Sequence, residues 1–261
     1  MRIPIADSGG NPAWPEKFPP AAISDLRDTV GPRHFASQMM LENVSDTRAR
    51  LDPGWIDLYD SEFDPRTARI GDAVITGACV YWDPASGRRK NDGSVCTLIY
   101  RDDKNRHIYI HDIMYMIVGD DEAHPLGRQC ERVLEFMSRH NMHKIWIETN
   151  GIGNALPEIM RDVAARRGIR PIIEPIVNTR NKETRILDAI EPSLATGRMH
   201  AHVRVRQSPL MSEMLGWSPI GSAGHDDGID AVAGAIAATP IPIRAIGARI
   251  PTYHANTKFK L

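Results

Sequence analysis

Ala78-Cys79-Val80-Tyr81-Trp82-Asp83 is an unbroken apolar run that closes on a carboxylate, with Pro84 directly after it. Such a run reads as a buried strand, near 73–82, carrying Asp83 at its end. A second apolar run, Ile145-Trp146-Ile147, closes on Glu148. A third station opens a helix: His225-Asp226-Asp227-Gly228-Ile229-Asp230 leads into Ala231-Val232-Ala233-Gly234-Ala235-Ile236. Carboxylates at the ends of buried strands and at a helix start lose solvation, and they repel one another where they converge. A hard divalent cation between them makes such a cluster tolerable, and an all-oxygen set suits Mg²⁺ or Mn²⁺. Two-metal hydrolysis of a phosphodiester needs that arrangement.

Outward from Asp83, strands are expected near 73–82, 95–101 and 107–117. The turns Pro84–Gly93 and Asp102–Asn105 join them into an antiparallel meander. A helix follows from about Pro125 to His140, with Leu126, Cys130, Val133, Leu134 and Met137 at helical spacing. Next come a short strand at Lys144–Ile147, a helix near Ala155–Arg167 ended by Gly168, and a strand at Pro171–Val177. A helix near Lys182–Ala195 stops at Gly197, residues 200–206 alternate as a strand, and the last strong helix begins near Asp226. The order is βββαβαβα, a mixed α/β domain.

Residues 1–65 read as a linker or arm before a core at 66–240. Pro and Gly punctuate them, leaving room for two short helices, about Ala21–Val30 and Arg33–Leu41, with Trp14, Phe18, Phe35 and Trp55 as apolar anchors. Residues 241–261 read as a basic tail holding Arg244, Arg249, Lys258 and Lys260.

Of the 261 residues, 42% are hydrophobic and 25% charged, as expected of a globular core. The formal net charge of −1 rules out a uniformly basic nucleic-acid binder, so any phosphate-steering surface is local. No apolar run reaches the ~18 residues of a membrane span, and Met1–Asp7 lacks the apolar stretch of a signal peptide. Cys79, Cys96 and Cys130 are widely spaced with no CxxC, which argues against a disulfide framework and for a reducing, intracellular setting. His200 and His202 would share a strand face, but further zinc ligands are not found near them.

Taken singly, each carboxylate has an ordinary reading. Asp83 before Pro84-Ala85-Ser86-Gly87 could start a turn, Glu148 could face water, and the aspartates could cap a helix. Together they are harder to dismiss. Asp226, Asp227 and Asp230 crowd one helical turn, which costs repulsion unless something positive is bound.

The chain resembles the C-terminal nuclease domain of tailed-phage terminase large subunits, of the RNase H-like (RuvC-like) fold. The resemblance is carried by Trp82-Asp83-Pro84-Ala85 with Asn91-Asp92-Gly93-Ser94, then Ile147-Glu148-Thr149-Asn150-Gly151, Asn181-Lys182-Glu183-Thr184-Arg185-Ile186 and His225–Ala231. Pro12–Phe18 and Phe35–Met40 are similar to the segment between the ATPase and nuclease modules of that family. The resemblance implies a central mixed sheet, its first three strands antiparallel, flanked by helices. It implies a metal-dependent endonuclease that cuts concatemeric viral DNA during packaging, using two Mg²⁺ or Mn²⁺ ions. The family's metal-holding positions fall on Asp83, Glu148 and Asp227, with Asp83 bridging the ions. Asp230 ranks next by likeness to junction resolvases, then Asp226; Asp92 is a candidate to reach the ions from outside. Arg88, Arg89, Lys90, Lys182 and Arg185 are candidates to hold double-stranded DNA by its phosphates.

The implied partners are a terminase ATPase domain, the small terminase subunit and the portal protein, in a host cytoplasm. The chain departs from the complete family protein in having no GxxxxGK[ST] loop, so it lacks the phosphate cradle of an ATP motor. A Holliday junction resolvase on the same fold and a non-catalytic docking module of the motor are the alternatives.

Overall fold

The computed structural model describes residues 3–7, 9–30, 35–41, 51–85, 93–117, 123–219 and 225–245. Arg88, Arg89, Lys90, Asp92 and most of the basic tail lie outside them. Helix α1 (Pro20–Val30) is followed by a single π-type turn at Phe35–Met39 where a second short helix was expected. The strands β1 (Asp57–Tyr59), β2 (Phe63–Asp64), β3 (Arg69–Ile70) and β4 (Ala73–Val74) come next. Then follow β5 (Gly77–Asp83), β6 (Ser94–Asp102), β7 (His107–Met116) and α2 (Pro125–Arg139). After these come β8 (Lys144–Glu148), α3 (Leu156–Arg166), β9 (Ile172–Ile176) and α4 (Lys182–Ala195). The last elements are β10 (Met199–His202), α5 (Leu210–Gly216), α6 (Asp227–Ala237) and β11 (Ile241–Pro242).

The main sheet runs β1-β10-β7-β6-β5-β8-β9, with β11 paired to the start of β5. β5, β6 and β7 are mutually antiparallel, while β8 joins β5 and β9 joins β8 in parallel. This is the expected mixed sheet with an antiparallel meander at its front. Strands β2 to β4 form a separate small antiparallel sheet.

Alternation along β5 sorts the helices into two layers. Ala78, Val80 and Trp82 pack with Cys130, Val133 and Leu134 of α2 and with Met160 and Val163 of α3. Cys79 and Tyr81 pack on the other face with Ile186 and Ile190 of α4, Met214 of α5, and Ile229, Val232 and Ala233 of α6. Every residue from Gly77 to Trp82 is therefore buried, which explains why the run is apolar without a polar face.

The structure departs from the sequence reading at three places beyond the preface aromatics. Within the chain, Phe35 is buried with Ala6 and Ile23 and Phe18 packs against them, while Trp14 and Trp55 are exposed, at 59% and 50%. The sheet begins earlier than the alternation showed: Asp57–Tyr59 pairs in parallel with β10, and Leu51 and Ile56 belong to the main core. Three residues are too few to display a period of two. The strand expected at 200–206 ends at His202 and passes into a tight turn at Val205–Gln207. Helix α5 was unread because seven residues starting beside Pro209 show less than two turns of pattern.

Candidate active site

Parity of the strands aims the first two carboxylates. Asp83 follows Cys79 and Tyr81 at steps of two, and Glu148 follows Trp146, so both emerge on the α4–α6 face at adjacent strand ends. Helix α6 approaches this face closely because Gly234 lies against the Tyr81 ring, where a Cβ would stand 2.5 Å from Cε1. Its first turn then places Asp230, 5% exposed, beside Asp83 and Glu148. Burial pushes the Asp83 carboxyl well above its usual range, and the charges of Glu148 and Asp230 push it further, against the pull of Lys182 and Arg185. Burial likewise raises Asp230, with Lys182 and Arg185 opposing.

Helix α4 supplies the counter-charge. Asn181 caps it by accepting the Thr184 N–H at 3.0 Å, and its first turn presents Lys182 and Arg185. Lys182 Nζ donates to Asp226 Oδ1 at 2.7 Å and lies 3.3 Å from Asp230 Oδ2. Burial pulls the ammonium down, but the bond to Asp226 and the charges of Asp230 and Asp226 outweigh it and hold the pKa raised. Arg185 is buried; it donates through Nη2 to Asp230 Oδ1 and stands 3.5 Å from Glu148 Oε2 through Nη1.

The α6 aspartates divide their work. Asp227 Oδ2 accepts the Gly93 N–H at 2.7 Å, which ties the start of β6 to the helix. Asp226 precedes the helix and pairs with Lys182. Of the three, Asp230 is the one whose charge weighs most on Asp83, and it rather than Asp227, which the resemblance singled out, faces the strand-end carboxylates. Lys182 and Arg185 are thus placed among the carboxylates, with Lys182 still 40% exposed along its side chain.

Three contributors went unread. Tyr81 Oη donates to Glu148 Oε2 at 2.8 Å, and Asn178 Nδ2 donates to the same oxygen at 2.7 Å. Glu213 of α5 accepts the N–H groups of Gly228 and Ile229 at 2.9 and 3.2 Å, capping α6 from outside the helix. Burial pushes the Glu213 carboxyl up to about 7, against those hydrogen bonds. Tyr81 was legible as a polar tip two residues before Asp83; Asn178 and Glu213 carry no local signal.

Among the described residues, no three His, Cys, Asp or Glu side chains stand together as a metal-holding group. The donor chemistry of Asp83, Glu148 and Asp230 nevertheless fits a hard divalent cation: all donors are carboxylate oxygens, and their negative charge already holds two cationic side chains, Lys182 and Arg185. No described helix is long and apolar enough to cross a membrane.

Residues 83–199 match the family described as Terminase Bacteriophage T7, Ribonuclease H-like domain. The human cytomegalovirus terminase nuclease domain, in its Mn-soaked, inhibitor-bound structure, superposes with a TM-score of 0.50 at 15% identity. That alignment covers 74% of this chain and 92% of the other. The large terminase of bacteriophage HK97 superposes with a TM-score of 0.50 at 11% identity, over 82% of this chain and 49% of that one. Comparison with curated protein sequences gives no match. At these identities the superpositions speak for the fold. The match opens on Asp83 itself and takes in Glu148, Lys182 and Arg185, while Asp226 to Asp230 join the site through tertiary structure beyond its end. Sheet order, motif order and family match agree: residues 83–199 are similar to the RNase H-like domain of terminases.

Proposed function

We propose that this chain is the nuclease part of a viral DNA-packaging terminase, a metal-dependent endonuclease that cuts concatemeric double-stranded DNA in the host cytoplasm. The observation that supports it best is the convergence of Asp83, Glu148 and Asp230 on one face of the sheet edge, from three elements far apart in sequence. The RNase H-like terminase family and the Mn-soaked viral relative point the same way.

In this reading Asp83, Glu148 and Asp230 hold the cations, Mg²⁺ or Mn²⁺, and Asp226 and Asp227 complete the acidic rim. When bound, two such ions supply Lewis acidity to a water nucleophile and to the departing 3′-oxygen. The chain's own residues do the rest. Asp83 and Glu148, anchored at strand ends, orient the cluster; Arg185 offsets its charge from the buried side. Lys182, half-exposed on its pairing with Asp226 and Asp230, is free to swing toward a DNA phosphate when cations take over its carboxylates. Arg88, Arg89 and Lys90 follow Asp83 in sequence and would extend that contact. An ATPase domain, the small terminase subunit and the portal are the partners this role requires.

The test is cleavage of supercoiled plasmid, linear duplex and a four-way junction with Mg²⁺, Mn²⁺ or EDTA. Metal-dependent cutting of plasmid and linear duplex alike is expected, with steep salt dependence, since each neutralised phosphate adds about 0.9 to the log–log slope. Cutting confined to the junction would favour a resolvase, and no cutting with either ion would favour a docking module.

A further inference from the structure

Glu148 takes its protein contacts on one oxygen. Tyr81 Oη and Asn178 Nδ2 both donate to Oε2, at 2.8 and 2.7 Å, and Arg185 Nη1 stands 3.5 Å from the same atom. Asn178 Nδ2 also donates to Tyr81 Oη at 3.0 Å, closing a triangle. Neither donor is loose. The Tyr81 ring lies under Gly234 in the core. The Asn178 main-chain N–H donates to Asn150 Oδ1 at 2.9 Å, and its carbonyl accepts from Asn150 Nδ2 at 2.7 Å. Asn150 therefore clasps the loop after β8 to the loop after β9. Beside it, the Thr149 N–H donates to the Ile176 carbonyl at 2.8 Å.

We propose that Tyr81 and Asn178, the latter fixed by Asn150, are positioning residues that make Glu148 a one-oxygen ligand, holding Oε2 and presenting Oε1 to a divalent cation. This rests on reading Asp83, Glu148 and Asp230 as the cation-holding cluster. A glutamate has several soft torsions, and an untethered one samples many rotamers and can chelate through both oxygens. Two donors on one oxygen remove both freedoms. Outer hydrogen bonds of this kind orient ligating carboxylates, and losing one typically weakens metal affinity by about 10–100-fold. The Asn150 in the Glu148-Thr149-Asn150-Gly151 motif thereby acquires a task at some distance from the ion.

The test uses the full chain and Mn²⁺ alone, with affinity read by titration calorimetry without DNA and nicking measured in parallel. Asp83→Ala and Glu148→Gln should abolish Mn²⁺ binding. Tyr81→Phe and Asn178→Ala should each weaken it about tenfold or more, with nicking recovered at raised Mn²⁺, a rescue that a merely structural defect would not show. Asn150→Ala should shift affinity in the same direction by less. Circular dichroism confirms the fold, and Asn178→Ala, at a half-buried loop position, carries the test should Tyr81→Phe misfold. Wild-type Mn²⁺ affinity in Tyr81→Phe and Asn178→Ala, while Asp83→Ala and Glu148→Gln lose it, overturns the positioning role alone. Unchanged binding in Asp83→Ala and Glu148→Gln overturns the cation cluster and the positioning role with it.

Discussion

Gly234 lies flat on the ring of Tyr81, so that a Cβ on the glycine would stand 2.5 Å from Cε1 and 2.8 Å from Oη. The approach is what lets α6 sit low enough for Asp230 to reach the strand-end carboxylates. Gly234→Ala should push the helix off the sheet or tilt the Tyr81 ring. Overpacking of this kind costs about 1–3 kcal/mol, to be read as a lower urea midpoint at unchanged slope. Nicking should fall by more than the stability loss explains, because Tyr81 also holds Glu148. An unchanged midpoint would show that the helix accommodates the methyl group.

Asp83→Ala should abolish nicking without loosening the protein. In the metal-free chain, burial together with the Glu148 and Asp230 charges disfavours this carboxylate. Its removal relieves repulsion, so the melting temperature without metal should hold or rise slightly, while stabilisation by Mn²⁺ disappears. A drop of several degrees without metal would contradict the electrostatic account.

Arg185 carries the opposite sign. It is buried between Asp230 and Glu148, and removing one partner of a buried pair strands the other charges at a cost of about 3–5 kcal/mol. Arg185→Met should therefore destabilise the chain strongly at alkaline pH. The loss should shrink on acidification as the stranded carboxylates take up protons. Chemical denaturation at two pH values checks this, and a pH-independent loss would mean that packing, rather than charge, is what Arg185 contributes.

Glu213, which caps α6 from α5, provides a separate pH signature. Its carboxyl is pushed up to about 7 in the fold, against about 4.3 in an unfolded chain. A raised carboxyl binds its proton more tightly when folded. Its stabilising contribution is thus whole below about pH 4.3 and is lost as pH rises through 7. Asp83 and Asp230, also raised, act in the same direction, so the informative quantity is the difference between wild type and Glu213→Gln. Glutamine keeps an acceptor for Gly228 and Ile229 without the charge. The variant should gain on wild type across that window, reaching on the order of 2–3 kcal/mol near neutrality. Parallel stability curves would refute the shift.

The chain lacks a GxxxxGK[ST] loop, so cutting should need no nucleotide. Titration of ATP into the Mg²⁺-saturated chain should give no heat of binding. ATP turnover that survives purification and vanishes on mutating this chain would mean that the chain carries an ATP site of another kind.

What could be read without coordinates followed from short-range chemistry. The apolar run before Asp83 and the helical spacing of Cys130, Val133 and Met137 report burial within one element. Lys182–Ala195 was legible because Gly197 follows its end. The strand-end carboxylates were legible for the same reason, since a charge closing a buried run is a local anomaly. Tertiary structure alone decided which partner each acid meets. The first turn of α6 holds both Asp227 and Asp230 within one pitch, and only the depth at which Gly234 lets the helix settle aims Asp230 toward Asp83 and leaves Asp227 on the Gly93 amide. Asn178 and Glu213 act on residues 30 and 15 positions away. Their roles come from loops and a short helix brought together by the sheet, and no periodicity in a linear chain encodes a contact made across it.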